Sequence, residues 1–403
     1  MTLTHDLIVV GGGPGGAACA RTAAQNGLDV LLIEKAEHPR RKICAGGFRL
    51  GLPDLLDYDL GPVIEREACG AHLYAPSGLK VVCTKPQVTG YTVKRDRFDH
   101  FLLKKAEEAG AELLIGHEIV AVEEGTDQVT ARSDNGQTFA SRYLVGADSV
   151  NSKVARSTGI IERWTDSEIG LCFEAGVPMD PSDILRITQG PYGPEKICIE
   201  IFFGGVEHGY GWCFPKKDEV SLGMGCLMTY AKDLKAGWTR FIERFEKNNS
   251  VKVDLSSQSA MRVPLKGPTR RTVSKRVMLV GDAGGFVSPA TGEGICYAIE
   301  TGQIAAKTAA DLIKGTVTST AEYEKRWRPG VGKQLRASNF LANLLFNSQS
   351  NMESVVRMAS EDEVIKNNMT ELIGGLRPYT DLKMAIMRRV IAKHALTGIK
   401  MLR

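Results

Sequence analysis

"DLIVVGGGPGGAACARTAAQNGLDVLLIEK", residues 6–35, reads as strand, glycine turn, helix and second strand. Leu7 to Val10 is a short continuous apolar run, the mark of a parallel strand buried on both faces. Gly11, Gly13 and Gly16 satisfy GxGxxG. The first permits a tight turn, the second lets backbone approach a pyrophosphate, and the third lets the helix lie close on the strand. The helix start offers free N–H groups and a partial positive charge to that anion. Glu34 closes the second strand, where a carboxylate accepts from a ribose hydroxyl. With strand, turn, helix, strand and acid in register, the stretch predicts a dinucleotide-binding α/β unit.

The 403 residues leave room for two or three domains around a substantial core. Fifty-one basic residues against 47 acidic ones give a net charge of +4, which implies no nucleic-acid partner. The nine cysteines are odd in number, scattered and without a CxxC pair. That usage predicts a reducing, cytoplasmic home, no disulfide framework and no cysteine metal site. No positively charged segment precedes the first strand, so no secretory signal is expected. No run of eighteen apolar residues exists to span a bilayer, and no repeat of 20–50 residues is visible. The chain is expected to act as a monomer.

Two later segments choose among dinucleotides. "YLVGADSVNSKVAR" (143–156) and "RVMLVGDAGGFVSPATGEGICYAIETG" (276–302) resemble the two flavin motifs of the aromatic-hydroxylase-like flavoprotein superfamily. In the second, an apolar strand from Val277 to Val280 runs into Gly281 and Asp282, whose carboxylate can bond a ribityl hydroxyl. Gly292, Glu293 and Gly294 then open a helix over 295–313, its N-terminal N–H groups directed at the flavin's pyrimidine edge. The first motif departs from the superfamily's Asp-Gly, carrying Asp148-Ser149 instead. "VKRDRFDHFL" (93–102) resembles the superfamily's Arg-containing helix start and puts Arg95 near the cofactor. The resemblance implies FAD.

The flavin segments are not contiguous. Residues 1–70, 91–158 and 270–315 read as one Rossmann-type FAD-binding domain, and 71–90 with 159–269 as an interleaved antiparallel-sheet substrate domain. Within the latter, "KICIEIFFGG", "GYGWCFP" and "EVSLGMGCLM" form three strand-like runs joined by turn-type residues, an antiparallel meander that would roof the flavin. Residues 316–403 read as a helical C-terminal region, with two helices broken near Pro329 and Gly330.

The stretch "HGYGWCFPKK" (208–217) places Tyr210, Trp212 and Phe214 on one face of a strand, because residues two apart share a face. "RRKICAGG" (40–47) follows the second strand. Cys44-Ala45-Gly46-Gly47 is similar to the CxG-containing loop of the geranylgeranyl reductase family, and Tyr210, Trp212, Phe214 and Pro215 match that family's YxWxFP motif. The resemblance covers about the first 320 residues and implies hydrogenation of prenyl double bonds on a membrane lipid or lipid precursor. It places Gly11, Gly13, Gly15, Gly16, Glu34, Cys44, Ala45, Gly47, Arg95, Val120, Asp282, Gly294 and Ile295 around FAD. Cys44, Tyr210, Trp212 and Phe214 fall at the catalytic centre, with Cys44 chemical or structural.

Two other readings share the fold. A flavin monooxygenase or halogenase carries WxWxIP in a comparable place, where this chain has Tyr210 for the first Trp and Phe214 for the Ile. A non-catalytic prenyl-binding protein, similar to guanine-nucleotide dissociation inhibitors, has no use for an intact GxGxxG, Glu34 and Asp282. Fold alone does not choose between such functions. No second GxGxxG marks a site for NADPH, so the electron donor is either NADPH or a ferredoxin-like protein. Residues 377–403 hold seven Lys or Arg against one acid, Asp381, interleaved with apolar residues. That pattern predicts peripheral contact with the inner face of an anionic membrane.

Overall fold

A computed structural model describes residues 5–268, 271–393 and 395–402. The opening stretch folds as its pattern predicts, into strand His5–Val10, helix Pro14–Gln25 and strand Val30–Glu34. Strand His5–Val10 lies between Val30–Glu34 and Thr138–Gly146, parallel to both. Glu112–Ile115 and Val277–Leu279 extend the parallel part at its two sides, and Val129–Ser133 with Ile119–Glu124 adds an antiparallel ribbon. Val30–Glu34 is buried at every residue, as a strand covered on both faces must be. Helices Pro14–Gln25 and Ile295–Ile313 pack on one of those faces.

A second sheet of nine strands carries the meander. Lys196–Phe203, Gly209–Pro215 and Glu219–Leu227 are successive antiparallel neighbours, as expected. Ile169–Pro178 and Ser259–Pro264 continue the sheet on one side. On the other side it runs through Ile64–Tyr74, Gly90–Val93 and Gly47–Arg49, with Lys80–Thr84 beside Ile64–Tyr74. The expected boundary at residues 70/71 therefore falls inside an eleven-residue strand. Residues 47–49, 64–70 and 91–93 also belong to this sheet, because backbone pairing rather than composition decides which sheet a strand joins. The boundary expected at 269/270 lies outside the described residues. Helix Leu234–Asn249 covers the far face of the sheet through Trp238, Phe241, Ile242 and Phe245.

The C-terminal region is helical, with Ala321–Trp327, Lys333–Phe346, Gln349–Glu361, Glu363–Gly374, Tyr379–Lys393 and Ala395–Leu402. The expected break at Pro329 and Gly330 is instead a π turn, Arg328–Gly332, that carries one helix into the next. Proline removes one backbone donor, and the wider turn accommodates that loss without ending the helix. Among the described residues no helix is long and apolar enough to cross a membrane.

Candidate active site

The two sheets and the helical region enclose one cavity of about 1290 Å³. Ordinary small-molecule pockets hold roughly 300–1,000 Å³, so this volume leaves room for more than a cofactor. All the sequence-predicted site residues line it except Gly16 and Val120. Gly16 acts from behind: a Cβ there would sit 1.8 Å from the Gly11 carbonyl oxygen, so glycine is what lets the helix close on the turn. Val120 is displaced by its neighbours His117, Glu118 and Ile119, which form the wall in its place.

At one end lies the glycine turn. Gly11 adopts φ +107°, and a Cβ would meet the Ala147 carbonyl oxygen at 2.5 Å. A Cβ on Gly13 would project into open space, its nearest neighbour the Arg40 guanidinium at 3.9 Å. No side chain caps helix Pro14–Gln25, so its first N–H groups are free for an anion. Glu34 is buried, its Oε2 accepting from Gly12 N at 2.5 Å and its Oε1 from Ala36 N at 3.0 Å. Each oxygen keeps a lone pair for a hydroxyl donor.

Around this end runs a charge network that the sequence left largely unread. Arg95 forks onto the fully buried Asp99 at 2.8 and 2.9 Å, and Arg40 reaches the same carboxylate at 3.1 Å. Arg40 Nε also lies 3.7 Å from Glu34 Oε1. Burial opposes the Arg95 charge, yet the Asp99 carboxylate, joined by the Cys44 sulfur, more than compensates, and the Arg95 pKa is raised. The spacing of Arg95 and Asp99 is the i,i+4 pattern of one helix face, a signal present in the sequence.

Asp148 is not a free ligand. Its carboxylate accepts from Ser152 Oγ at 2.5 Å and from Lys153 and Val154 N–H at 2.7 and 3.1 Å, which ties down the helix that follows. Burial pushes its pKa up against those hydrogen bonds. Ser149, which departs from the superfamily's glycine, keeps a left-handed φ of +68°. Its hydroxyl donates to Asp282 Oδ2 at 3.4 Å and accepts from Lys42 Nζ at 3.4 Å. Burial pulls the Lys42 pKa down, opposed by the Asp282 charge. At the helix start after Gly294, one expected donor is already taken: Cys296 N donates to Glu293 Oε1 at 2.7 Å.

The other end is apolar and aromatic. Tyr210 and Trp212 have ring centroids 6.0 Å apart, and Tyr210 stacks on Phe346 at 5.9 Å with 15° between planes. The Tyr210 hydroxyl donates to Thr291 O at 2.6 Å, and burial raises its pKa. Phe214 lies over Gly47, where a Cβ would sit 2.3 Å from the ring. Thus the strand motif and the Cys44 loop, far apart in sequence, are built against each other. Leu73, Ile201, Phe203 and Leu372 extend the apolar wall beyond the rings.

Beneath the rings sit two further charges. Lys216, expected only as a turn residue, is 2% exposed, and its ammonium donates to Ala45 O at 2.6 Å and Gly46 O at 3.5 Å. Burial pulls its pKa down to about 8, against the opposing effects of Cys44, Glu219, Glu174 and Glu65. Glu174 accepts from Ser221 Oγ at 2.9 Å and from Arg41 at 3.4 Å, and Ser221 in turn accepts from Trp212 Nε1 at 3.4 Å. Burial pushes the Glu174 pKa up. The Cys44 thiol is half-buried and accepts from Gly46 N at 3.4 Å. Among the described residues no cluster of His, Cys, Asp or Glu is arranged to hold a metal ion.

The free helix N-terminus, the open face at Gly13, the buried Glu34 acceptor and Asp282 at the first sheet's edge together fit FAD. Residues 4–190 match the model of the FAD binding domain family. The fold and this cradle define a flavin-dependent oxidoreductase with FAD as its cofactor. The digeranylgeranylglycerophospholipid reductase of Methanothrix thermoacetophila is 30% identical over 91% of this chain and 94% of its own length. The protein of that name from Methanocaldococcus jannaschii is 28% identical over 97% and 96%. The chain's fold is also that of a geranylgeranyl bacteriochlorophyll reductase-like protein from Thermoplasma acidophilum. There the TM-score is 0.82 at 24% identity, over 99% of this chain and 98% of that one. The chain belongs to the geranylgeranyl reductase family of FAD-dependent flavoproteins.

Proposed function

We propose that the protein adds a proton and a hydride across isolated double bonds of a geranylgeranyl chain carried on a glycerophospholipid. The observation that carries this reading is the continuity of the cavity: cofactor cradle and apolar, aromatic-walled channel are one space. The names of the relatives support the substrate class.

An isolated trisubstituted alkene has no carbonyl to polarise it, so positive charge must develop at the tertiary carbon as the proton arrives. Ring faces stabilise cations by about 0.5–2 kcal/mol each, which gives Tyr210 and Trp212 a role beyond apolar contact. FAD, when bound and reduced by the external electron donor, would supply the hydride. The Tyr210 proton is committed to the Thr291 carbonyl, and burial raises the phenol's pKa and makes it a weaker donor, so it orients the wall rather than acting as the acid. Cys44 Sγ, on the loop built against the ring wall, is the atom we propose to hold the proton that the alkene receives. Lys216 keeps the Cys44 loop seated by donating to the carbonyls that follow it. The apolar residues beyond the rings exclude water from the reacting carbons.

The electron donor lies outside the chain, either NADPH or a ferredoxin-like protein. Peripheral contact through helix Tyr379–Lys393 would bring the cavity to a lipid surface. Mass spectrometry of lipid extracts made with and without the expressed protein tests the reaction. Prenyl chains should gain hydrogens in pairs. Lipid masses raised by one oxygen atom, with substrate-dependent oxygen consumption, would instead establish a monooxygenase.

A further inference from the structure

The helical C-terminal region holds a second cavity, of about 200 Å³, between helices Lys333–Phe346, Gln349–Glu361, Glu363–Gly374, Tyr379–Lys393 and Ala395–Leu402. Every described residue that lines it is Ala, Gly, Val, Leu, Ile or Met, and it opens to the surface beside Ile391, which is 66% exposed. Protein interiors hold few voids larger than a water molecule. A cavity walled by apolar side chains offers water few hydrogen-bond partners and favours apolar guests. Such a wall suits neither a phosphate headgroup nor a cofactor ring with polar edges. The ligand chemistry it matches is a branched aliphatic chain.

Four residues, Ala290, Leu345, Met369 and Leu372, line both this cavity and the main one. The two spaces are therefore separated by a partition about one side chain thick. Phe346, next to Leu345, is the ring on which Tyr210 stacks, so the aromatic wall leads directly onto that partition. Met369 is the adaptable member: an unbranched thioether changes rotamer at small cost and fills or vacates irregular gaps.

We propose that the second cavity receives the distal end of a prenyl chain whose proximal double bonds lie in the main cavity, with Met369 as the gate between them. The inference rests on the reading of the protein as a prenyl reductase and adds a subsite to it. Contact with the last isoprene unit then separates geranylgeranyl from farnesyl substrates.

Two measurements test this on the FAD-loaded protein. The first compares kcat/KM for glycerophosphate lipids carrying geranylgeranyl and farnesyl chains. In Val355→Phe, which places a ring in the second cavity, and in the milder Met358→Phe, the preference for geranylgeranyl should fall about tenfold, while farnesyl reduction stays at the wild-type rate. An unchanged preference in either folded variant overturns the proposal. The second measurement needs no variant. A geranylgeranyl lipid with a diazirine on its terminal isoprene unit should label peptides from 349–361 or 382–393 of the wild-type protein. Labelling confined to strand peptides within 196–215 overturns the subsite. If the wild-type protein reduces neither chain, the reductase reading itself falls and the subsite with it. If it reduces both chains but labels only the main cavity, the subsite alone falls.

Discussion

An enclosed ammonium is expensive, because the charge leaves water for a medium that solvates it poorly. Lys216 pays that cost beneath the aromatic strand, and its pKa of about 8 against an ordinary 10.5 measures it. Between those two values the unfolded chain binds a proton that the folded one has released, so stability rises with pH across that window. In Lys216→Met that rise should vanish. The stability of wild type relative to the variant should climb by on the order of 3 kcal/mol from pH 8 to pH 10.5, read from urea midpoints. A parallel pH dependence in the two proteins would remove the buried charge from the account. Glu34 makes the opposite kind of contact, with two backbone N–H groups on its carboxylate and lone pairs to spare. Glu34→Ala should weaken FAD by about 1.5–3 kcal/mol, and fluorescence titration of the apoprotein checks it. An unchanged affinity would place the ribose elsewhere. Trp212→Leu keeps apolar contact but discards the π face, so turnover should fall more than substrate affinity. Single-turnover reaction of the reduced holoenzyme with a geranylgeranyl lipid separates the two, and a wild-type rate would reduce the ring to core packing.

The strand Gly209–Pro215 shows where legibility stops. Alternation alone puts Tyr210, Trp212 and Phe214 on one face, and a period of two needs no knowledge of neighbours. What those rings rest on depends on register, which only the folded sheet supplies. Trp212 pairs with Gly223 across the ladder, and a Cβ on Gly223 would lie 2.0 Å from the indole. Gly47 makes the same allowance for Phe214 from the start of a strand more than 160 residues away. Neither glycine carries a local signal of that role, whereas Gly11, Gly13 and Gly16 are legible because their spacing encodes the turn. Gly223→Ala should force Trp212 aside and cost about 1–3 kcal/mol, the usual range for overpacking a filled site. A denaturation midpoint equal to wild type would mean that the ring has room to move. The strand Ile64–Tyr74 escaped a correct boundary for the same reason: its partners Lys196–Phe203 and Gly90–Val93 are remote in sequence.

At the scale of the molecule, the cofactor end was readable because one βαβ unit builds most of it, while the channel was not, since it draws on both sheets and on the C-terminal helices. Those helices also set how the enzyme would meet its lipid. Helix Tyr379–Lys393 turns Tyr379, Leu382 and Val390 inward, and the Tyr379 hydroxyl bonds Ser288 and Thr291 at 3.1 Å each. Cutting the chain at Arg377 would therefore damage the core as well as any docking face. Two of the helix's cations are already engaged: Arg389 pairs with Asp362 at 2.7 Å, and Lys383 sits 4.0 Å over the Phe340 ring. The outward face carries Met384 and Ile391, 51% and 66% exposed, with Arg388 between them at helical spacing and Lys393 at the helix end. Arg403, counted in the basic tail, lies outside the described residues. Exposed apolar residues beside cations suit an interface of anionic headgroups, where each cation near the surface contributes about 1 kcal/mol. Sedimentation with vesicles of phosphatidylglycerol and phosphatidylcholine should show binding that weakens with salt. Met384→Ser with Ile391→Ser should lower it severalfold, and Arg388→Gln should flatten its salt dependence, both without loss of FAD. Reduction of a short-chain prenyl substrate in detergent should continue unchanged in these variants. If vesicle binding persists at the wild-type level in all three substitutions combined, this helix is not the membrane face, and lipid must reach the cavity from another side.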